Sequence, residues 1–490
     1  MPDTPPPRDD LGRSAAGGVR ATMIGQAVSI ATQLASVIIL SRLLQPEEFG
    51  LLAMVMAIVA VGEVVREFGL ANAAIRAPVL TEAQRSNLFW INTALGLACG
   101  AALLLSAPLI ADFYEEPRLV AISQVLAVLF VLGGLTTQPK AHLARSLRFK
   151  ALSVTDVLPS VIGLVVAIIG VGLGLGVWAL VAQRVVNAAL MLILAVAFDR
   201  WVPKLPSRRA GMGIFLRQGV QLLGSQVISW TSRNIDVVVL GYRFGAATTG
   251  QYSRAFELTI NTMSQLNSPS TKVAVPVLAR LQDDPERFNR YLLKGQRSLL
   301  FAIVPLLGVG GALAEPLVEL VLGAQWLPSA IFVQILAIAA VARVAGYATW
   351  WLALAKGKTS ATLWVSITNS VLLIASVLIG SMWGATGVAW GYTVGSVLGW
   401  LAQLVWYRVA ASAPSGQLLS NAALVISMNI APTAATLAVA HSTGELSSIA
   451  QVMMGIAVYG GLWLLTVLVV PVFRSELRST LQVARKIARR

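Results

Sequence analysis

Residues 40–50 read LSRLLQPEEFG, and residues 240–250, two hundred positions later, read LGYRFGAATTG. Each stretch closes a long apolar run with a short polar turn and opens a second apolar run at a glycine, Gly50 or Gly250. Downstream the echo continues at an offset of 211. Pro117 to Gly176 and Pro328 to Gly387 enclose equal intervals, each ending on a Gly-Val pair with a tryptophan just behind it, Trp178 or Trp390. An eleven-residue insertion between the copies accounts for the change from 200 to 211. The chain therefore reads as a duplicated helical membrane protein, an organisation that points to transport.

Composition agrees. Hydrophobic residues make up 56% of the chain and charged residues 12%, about half the charge fraction of a soluble domain. A bilayer core takes about 20 apolar residues per helix. Such stretches fall at 19–41, 49–70, 87–111, 119–138, 152–173 and 177–198. The second copy gives 214–240, 251–275, 298–322, 330–355, 360–382 and 388–407, and two more follow at 418–440 and 449–473. The expectation is fourteen transmembrane helices in an all-α integral membrane protein.

With the N-terminus placed in the cytoplasm, the basic residues sort by loop. Lys140, Arg145, Arg148 and Lys150 follow span four; Arg200, Lys204, Arg208, Arg209 and Arg217 follow span six. Lys272, Arg280, Arg287, Arg290, Lys294 and Arg297 follow span eight, and the end of the chain, 474–490, is basic. Alternate loops hold only Arg42, Arg118 and Arg243, with acidic groups such as Asp112, Glu115, Glu116 and Glu445. This positive-inside alternation places both termini in the cytoplasm. It also absorbs the net charge of +15, so the charge does not argue for nucleic acid. Residues 1–18, opening MPDTPPPRDD, are expected as a disordered cytoplasmic tail. The tail 474–490 forms an amphipathic pattern suited to anionic membrane lipid or to a simple orientation anchor.

Polar residues inside the spans mark the candidate site, because charges there line a cavity or pair with one another. Ser225, Ser229, Ser232, Arg233 and Asp236 share one helical face of span seven. Two hundred residues earlier the same face holds Gly25, Ser29, Thr32, Gln33 and Ser36. Span eight carries Arg254, Glu257, Asn261, Gln265 and Ser268, and span two carries Glu63, Arg66 and Glu67. For Arg233 with Asp236 and Arg254 with Glu257, an internal ion pair and a ligand contact both stay open. Arg184 and Arg343 have no acidic residue within a helical turn and call for an anion, a wet cavity or a distant carboxylate such as Asp156. Guanidinium forks suit phosphate oxygens. Gly391, Gly395 and Gly399 in span twelve, and Gly96 and Gly100 in span three, are read as close-packing faces.

Other chemistries find no support. Cys99 is the single cysteine and the two histidines, His142 and His441, lie in different loops, so no metal site, disulfide or cofactor is expected. Gly357-Lys358-Thr359 lacks the leading glycine of a phosphate-binding loop, since Leu352 stands there. No nucleophile–base arrangement or large catalytic loop suggests an enzyme.

Several segments taken together resemble the lipopolysaccharide and polysaccharide flippases of the multidrug/oligosaccharidyl-lipid/polysaccharide superfamily. They are LSRLLQPEEFGLLAM at 40–54, EFGLANAAIR at 67–76, FWINTALGL at 89–97, APLIADFYEEPRL at 107–119, LARSLRFKAL at 143–152 and GVWALV at 176–181. The resemblance is strongest in the first half and weaker beyond Arg408. It implies two pseudo-symmetric six-helix lobes, 19–210 and 211–410, with two appended helices in 411–473. It also implies alternating-access movement of an undecaprenyl-diphosphate-linked oligosaccharide across a bacterial inner membrane, with glycan polymerases or glycosyltransferases as partners. Cavity cations would hold the diphosphate: Arg184, Arg343, Arg233 and Arg254, with Arg66 as a weaker fifth. Asp236, Glu257, Glu63 and Glu67 are the candidate coupling or pairing carboxylates. A lipid II flippase is the near alternative; a cation-coupled multidrug antiporter and a non-transporting scaffold are further ones.

Overall fold

The computed structural model describes residues 8–471 apart from 68, 78, 79 and 209, together with 474. The side chains of 8–22, 72, 73, 76, 214, 216–231, 266, 268, 269, 359 and 360 lie outside the description. Among the described residues every regular element is a helix. In the first half these are α1 (Arg8–Leu43), α2 (Pro46–Glu67), α3 (Leu70–Arg76), α4 (Glu82–Tyr114), α5 (Arg118–Leu126), α6 (Val128–Arg145), α7 (Phe149–Gly172) and α8 (Val177–Asp199). Then come α9 (Gly213–Phe256), a π-helical turn at Glu257–Asn261, α10 (Thr262–Arg280), α11 (Pro285–Ala312) and α12 (Ala314–Val321). Last are α13 (Ala330–Ala355), α14 (Thr359–Gly380), α15 (Gly384–Ala411), α16 (Ser415–Ser442) and α17 (Ser448–Val469).

The helix starts follow from local chemistry. Pro46 opens α2 with its φ already helical, and Glu48 Oε2 accepts the Gln45 N–H at 2.8 Å. Thr81 and Gln84 form a reciprocal capping box at the start of α4. Asp284 caps α11 ahead of Pro285, accepting the Arg287 N–H at 3.0 Å. Each cap satisfies donors that a bilayer could not.

Among the described residues eleven helical segments are long and apolar enough to cross a membrane, and one of them, Ala361–Ala411, spans both α14 and α15. The stretches expected as spans seven and eight are helical within α9 and α10 but are not in that set, and residues 216–231 of span seven lie outside the residues searched. Gly245, with φ 76°, breaks α9 into two helices, at the turn foreseen between these spans. α1 starts at Arg8, inside the stretch expected as a disordered tail; residues 1–7 and 475–490 lie outside the described ones. Between α4 and α5 only residues 115–117 intervene, whereas α12 and the 3-10 turn Ala324–Ser329 separate α11 from α13. Most of the insertion between the repeats is therefore this extra element.

The chain divides into two compact units, Met1–Gly250 and Gln251–Arg490. The division falls forty residues after the repeat boundary expected at 210, because the first helix of the second copy packs within the first unit. Gly50 and Gly250 show how. A Cβ on Gly50 would lie 1.7 Å from the Ala246 carbonyl oxygen, and one on Gly250 would lie 1.8 Å from that of Pro46. Pro46 and Ala246 are themselves two hundred residues apart, so the contact is reciprocal under the duplication. Only glycine allows backbones this close. In the second unit Gly391 does the same between α14 and α15, where a Cβ would meet the Ser376 carbonyl oxygen at 2.3 Å. The span-twelve glycines are thus packing residues, as expected.

Candidate functional site

The first unit forms an open cavity of about 590 Å³ whose wall is built by five helices. α2 contributes Val59, Glu63, Arg66 and Glu67, and α6 contributes Gly133, Thr136, Thr137, Lys140 and Ala144. Both sets follow the three-to-four-residue spacing of one helical face. α3 adds Ala71 and Ile75, α7 adds Asp156, and α8 adds Arg184, Asn187 and Met191. The volume is that of a small-molecule or headgroup site. Among the described residues three cations and three carboxylates line it, Arg66, Lys140 and Arg184 against Glu63, Glu67 and Asp156, and their formal charges balance. Of the arginines expected to line a cavity, Arg66 and Arg184 are among the described lining of this one, together with the expected carboxylates Glu63 and Glu67.

The three cations are held differently. Arg66 is 8% exposed. Its Nη2 and Nε donate to Glu63 Oε2 at 2.6 and 3.0 Å, and its Nη1 donates to Thr137 Oγ1 at 2.8 Å. The missing side chain of Gly133 makes room for that guanidinium, since a Cβ there would come within 2.8 Å of Cζ. Lys140 Nζ donates to Asp156 Oδ1 at 2.6 Å and lies 3.6 Å from Met191 Sδ. This pair is half-exposed, so it is worth about 1 kcal/mol or less. Arg184 is exposed, and among the described residues it makes no ion pair or hydrogen bond. Its neighbours on α8 are tied down: Gln183 Nε2 donates to Ser36 Oγ at 3.2 Å, and Asn187 Nδ2 to Ser160 Oγ at 3.3 Å. Asp156, considered as a distant partner for Arg184, serves Lys140 instead.

Lys140 is the functional candidate that sequence reasoning passed over. It was counted with the charge after span four, but α6 continues five residues beyond it. Its signal was the stripe Gly133, Thr137, Lys140, Ala144 at helical spacing.

None of the remaining candidates is among the described lining residues of this cavity. Arg343 on α13 is not unpartnered as its sequence context suggested, because its Nη1 donates to Tyr392 Oη at 3.0 Å. Arg254 and Glu257 form an ion pair across one helical turn, where α9 passes into the π-helical turn. Asp236 is 1% exposed and its Oδ1 accepts the Val237 N–H at 2.9 Å. Arg233 is exposed and Ser232 buried. The side chains of Ser225, Ser229 and Ser268 lie outside the described residues.

A second cavity, of about 620 Å³, sits in the second unit among α11, α13, α15 and α16. Among the described residues no charged side chain lines it. Its wall is chiefly aliphatic, from residues such as Leu307, Ile338, Val341, Val397, Ile426 and Ile430. Gln334, Asn429 and Thr433 are its polar members; Asn429 accepts from the Tyr459 hydroxyl at 2.7 Å and donates to the Val425 carbonyl, also at 2.7 Å.

The segments that carry the family resemblance prove largely structural. Arg118 bridges Glu116, at 2.7 Å, and Glu47, joining 107–119 to the turn at 40–50. The Arg118 hydrogen bond holds the Glu116 carboxyl below the usual glutamate range. Gly176, at φ 55°, lies against Glu48 in the same corner. At the other end of the helices Asp199 is buried between Arg85 and His142, whose Nδ1 lies 2.6 Å from Asp199 Oδ1. Arg85 also stacks over Trp201 at 3.9 Å. There Trp90 Nε1 donates to the Lys204 carbonyl at 2.8 Å, and Asn87 exchanges two bonds with the Ser207 backbone. These contacts strap the 200–207 connection to α4.

Residues 39–331 match a family described as polysaccharide biosynthesis protein. The chain is similar to the lipopolysaccharide biosynthesis protein WzxC of Escherichia coli K12, with 25% identity over 78% of each protein. It is also similar to the teichuronic acid biosynthesis protein TuaB of Bacillus subtilis 168, with 28% identity over 69% of this chain and 71% of that one. Among solved structures it shares the fold of the lipid II flippase MurJ in an inward closed conformation. The TM-score is 0.67 at 16% identity, covering 91% of this chain and 97% of that one.

Proposed function

The chain belongs to the polysaccharide biosynthesis protein family, and from that premise we propose that it carries a lipid-linked oligosaccharide across the membrane it spans. The observation that carries this reading is the charged cavity of the first unit, where Arg184 stands exposed among polar walls inside a multi-pass helical protein. A diphosphate-linked headgroup is too costly to pass through hydrocarbon unpaired. Arg184 offers it a planar, permanently charged fork, while Glu63, Glu67 and Asn187 offer hydrogen-bond partners to sugar hydroxyls. The apolar cavity of the second unit suits part of a polyprenyl chain. The repeats then exchange the side to which the headgroup cavity opens, the alternating access that duplicated transporters use.

In this reading the protein moves its substrate without transforming it. Both termini lie in the cytoplasm of a bacterial cell, and the headgroup enters from the basic side. The protein acts between the glycosyltransferases that build the lipid-linked unit and the polymerase that consumes it. The fold shared with a lipid II flippase does not by itself favour that substrate over other polyprenyl-diphosphate glycans.

The test is leaflet translocation in proteoliposomes with a labelled undecaprenyl-diphosphate oligosaccharide. Wild type is expected to move the label between leaflets, and a folded Arg184→Ala variant to move it about tenfold more slowly, the loss of one charge-assisted contact. Wild-type protein that leaves the label in place under every imposed ion gradient and potential overturns the reading.

A further inference from the structure

We propose that Lys140 is a second anion ligand of the charged cavity and that Asp156 is its resident counter-ion, giving Lys140 up to the substrate diphosphate and reclaiming it on release. The inference rests on the lipid-diphosphate reading above and adds to it two residues and a release step.

The geometry sorts the cavity cations by how firmly each is engaged. Arg66 is buried and held by three hydrogen bonds to Glu63 and Thr137. An incoming anion would have to break all three, so Arg66 stays a structural cation. Arg184 needs no release. Lys140 stands between these extremes: one carboxylate oxygen at 2.6 Å and a thioether at 3.6 Å are its contacts. Its side chain is 29% exposed and that of Asp156 45%. A lysine ammonium sits on a flexible four-carbon stem with donors that reorient freely, so it can change partner without moving the backbone. Asp156, left alone, remains half in water, where an unpaired carboxylate is tolerated.

Charge explains why the exchange is needed. A diphosphate entering a cavity whose described charges balance meets Glu67 and Asp156 as well as Arg184. One free arginine cannot neutralise two phosphoryl groups. Handing Lys140 from Asp156 to the substrate supplies the second cation from an adjacent helix, α6 beside α7. The same arrangement limits affinity. Asp156 competes for Lys140 throughout, and a transporter must bind its cargo weakly enough to let it go, as conduction sites do. Asp156 thus sets the balance between capture and release, and Lys140 touches the substrate.

The test uses the full chain in lipid nanodiscs, with undecaprenyl diphosphate as the probe and undecaprenol as the uncharged control. Leaflet transfer is measured in parallel in proteoliposomes. Asp156→Asn is expected to bind the diphosphate about two- to fivefold more tightly, the worth of a half-exposed pair, while transferring it more slowly. Lys140→Met is expected to bind it about tenfold more weakly. Tighter binding with slower transfer is a split that damage to the fold does not produce. Asp156→Ser repeats the removal should the asparagine variant not yield folded protein. Wild type that prefers the diphosphate over undecaprenol, with Asp156 variants of unchanged or lower affinity, overturns this proposal and leaves the flippase reading standing. Wild type with no preference for the diphosphate overturns the reading beneath it, and the proposal with it.

Discussion

The two units each form an open cavity of similar size, about 590 Å³ in the first and about 620 Å³ in the second, yet among the described residues six charged side chains line one and none lines the other. The two are not counterparts under the repeat: the second cavity uses α16, which follows both copies, and α11, which corresponds to α4 rather than to any helix of the first cavity's wall. In the first unit, α2 and α6 turn their polar stripes toward the space; Arg66 pairs with Glu63 along α2, Lys140 with Asp156 between α6 and α7, and Arg184 has no ion pair among the described residues. In the second, cations exist but are engaged away from the cavity. Arg343 is bound to Tyr392, and Arg254 is paired with Glu257 at the π-helical turn. A lipid-linked glycan has the same split character, a charged head and an apolar tail.

The contrast can be tested directly by placing the same charge in each wall. Val341→Asp puts a carboxylate into the aliphatic cavity, at an expected cost of about 3 kcal/mol, whereas Ala188→Asp adds one to a wall that already holds such groups and should cost well under 1 kcal/mol. Thermal unfolding of the detergent-solubilised variants reads the difference; equal losses would show that the linings do not differ in dielectric character. A smaller effect is expected where cations of the second unit are held by packing. Tyr392→Phe removes the Arg343 partner and should lower stability by about 1 kcal/mol, while leaving diphosphate binding unchanged. Reduced diphosphate binding in that variant would return Arg343 to the site.

The smallest effect belongs to the corner where the family segments meet. Arg118 holds the Glu116 carboxyl below the ordinary glutamate value of 4.5. A carboxylate with a depressed folded-state pKa stabilises above its unfolded value, and that contribution is lost as the pH falls through the folded one. With Arg118 52% and Glu116 21% exposed on their side chains, screening leaves about 0.5 kcal/mol. Glu116→Gln should therefore lower the unfolding temperature slightly at pH 7, by an amount that shrinks as the pH is lowered through the folded-state value. A deficit that does not shrink on acidification would show that shape rather than charge matters there.

Much of the fold was legible because it depends on local patterns. Apolar runs of about 20 residues must be helices in a bilayer, and the repeat at 40–50 and 240–250 marked the turns. The pairing of Arg66 with Glu63 was visible as helical spacing, and so was the packing role of Gly391. Lys140 was missed because a basic residue near a span end reads as loop charge until the helix is known to run on. Arg343 was misjudged because its partner, Tyr392, is 49 residues away in sequence. The unit boundary at Gly250 was hidden too, since it depends on which backbones come within contact of Gly50.

The sequence alone determined that this is a duplicated, all-helical membrane protein with cations inside its spans, because hydropathy, loop charge and repeat spacing act residue by residue along the chain. Only the tertiary structure decided which of those cations share a space and which are already spoken for. That depends on distances between helices remote in sequence, and a guanidinium or ammonium becomes a ligand or a strut according to what stands within three ångströms of it.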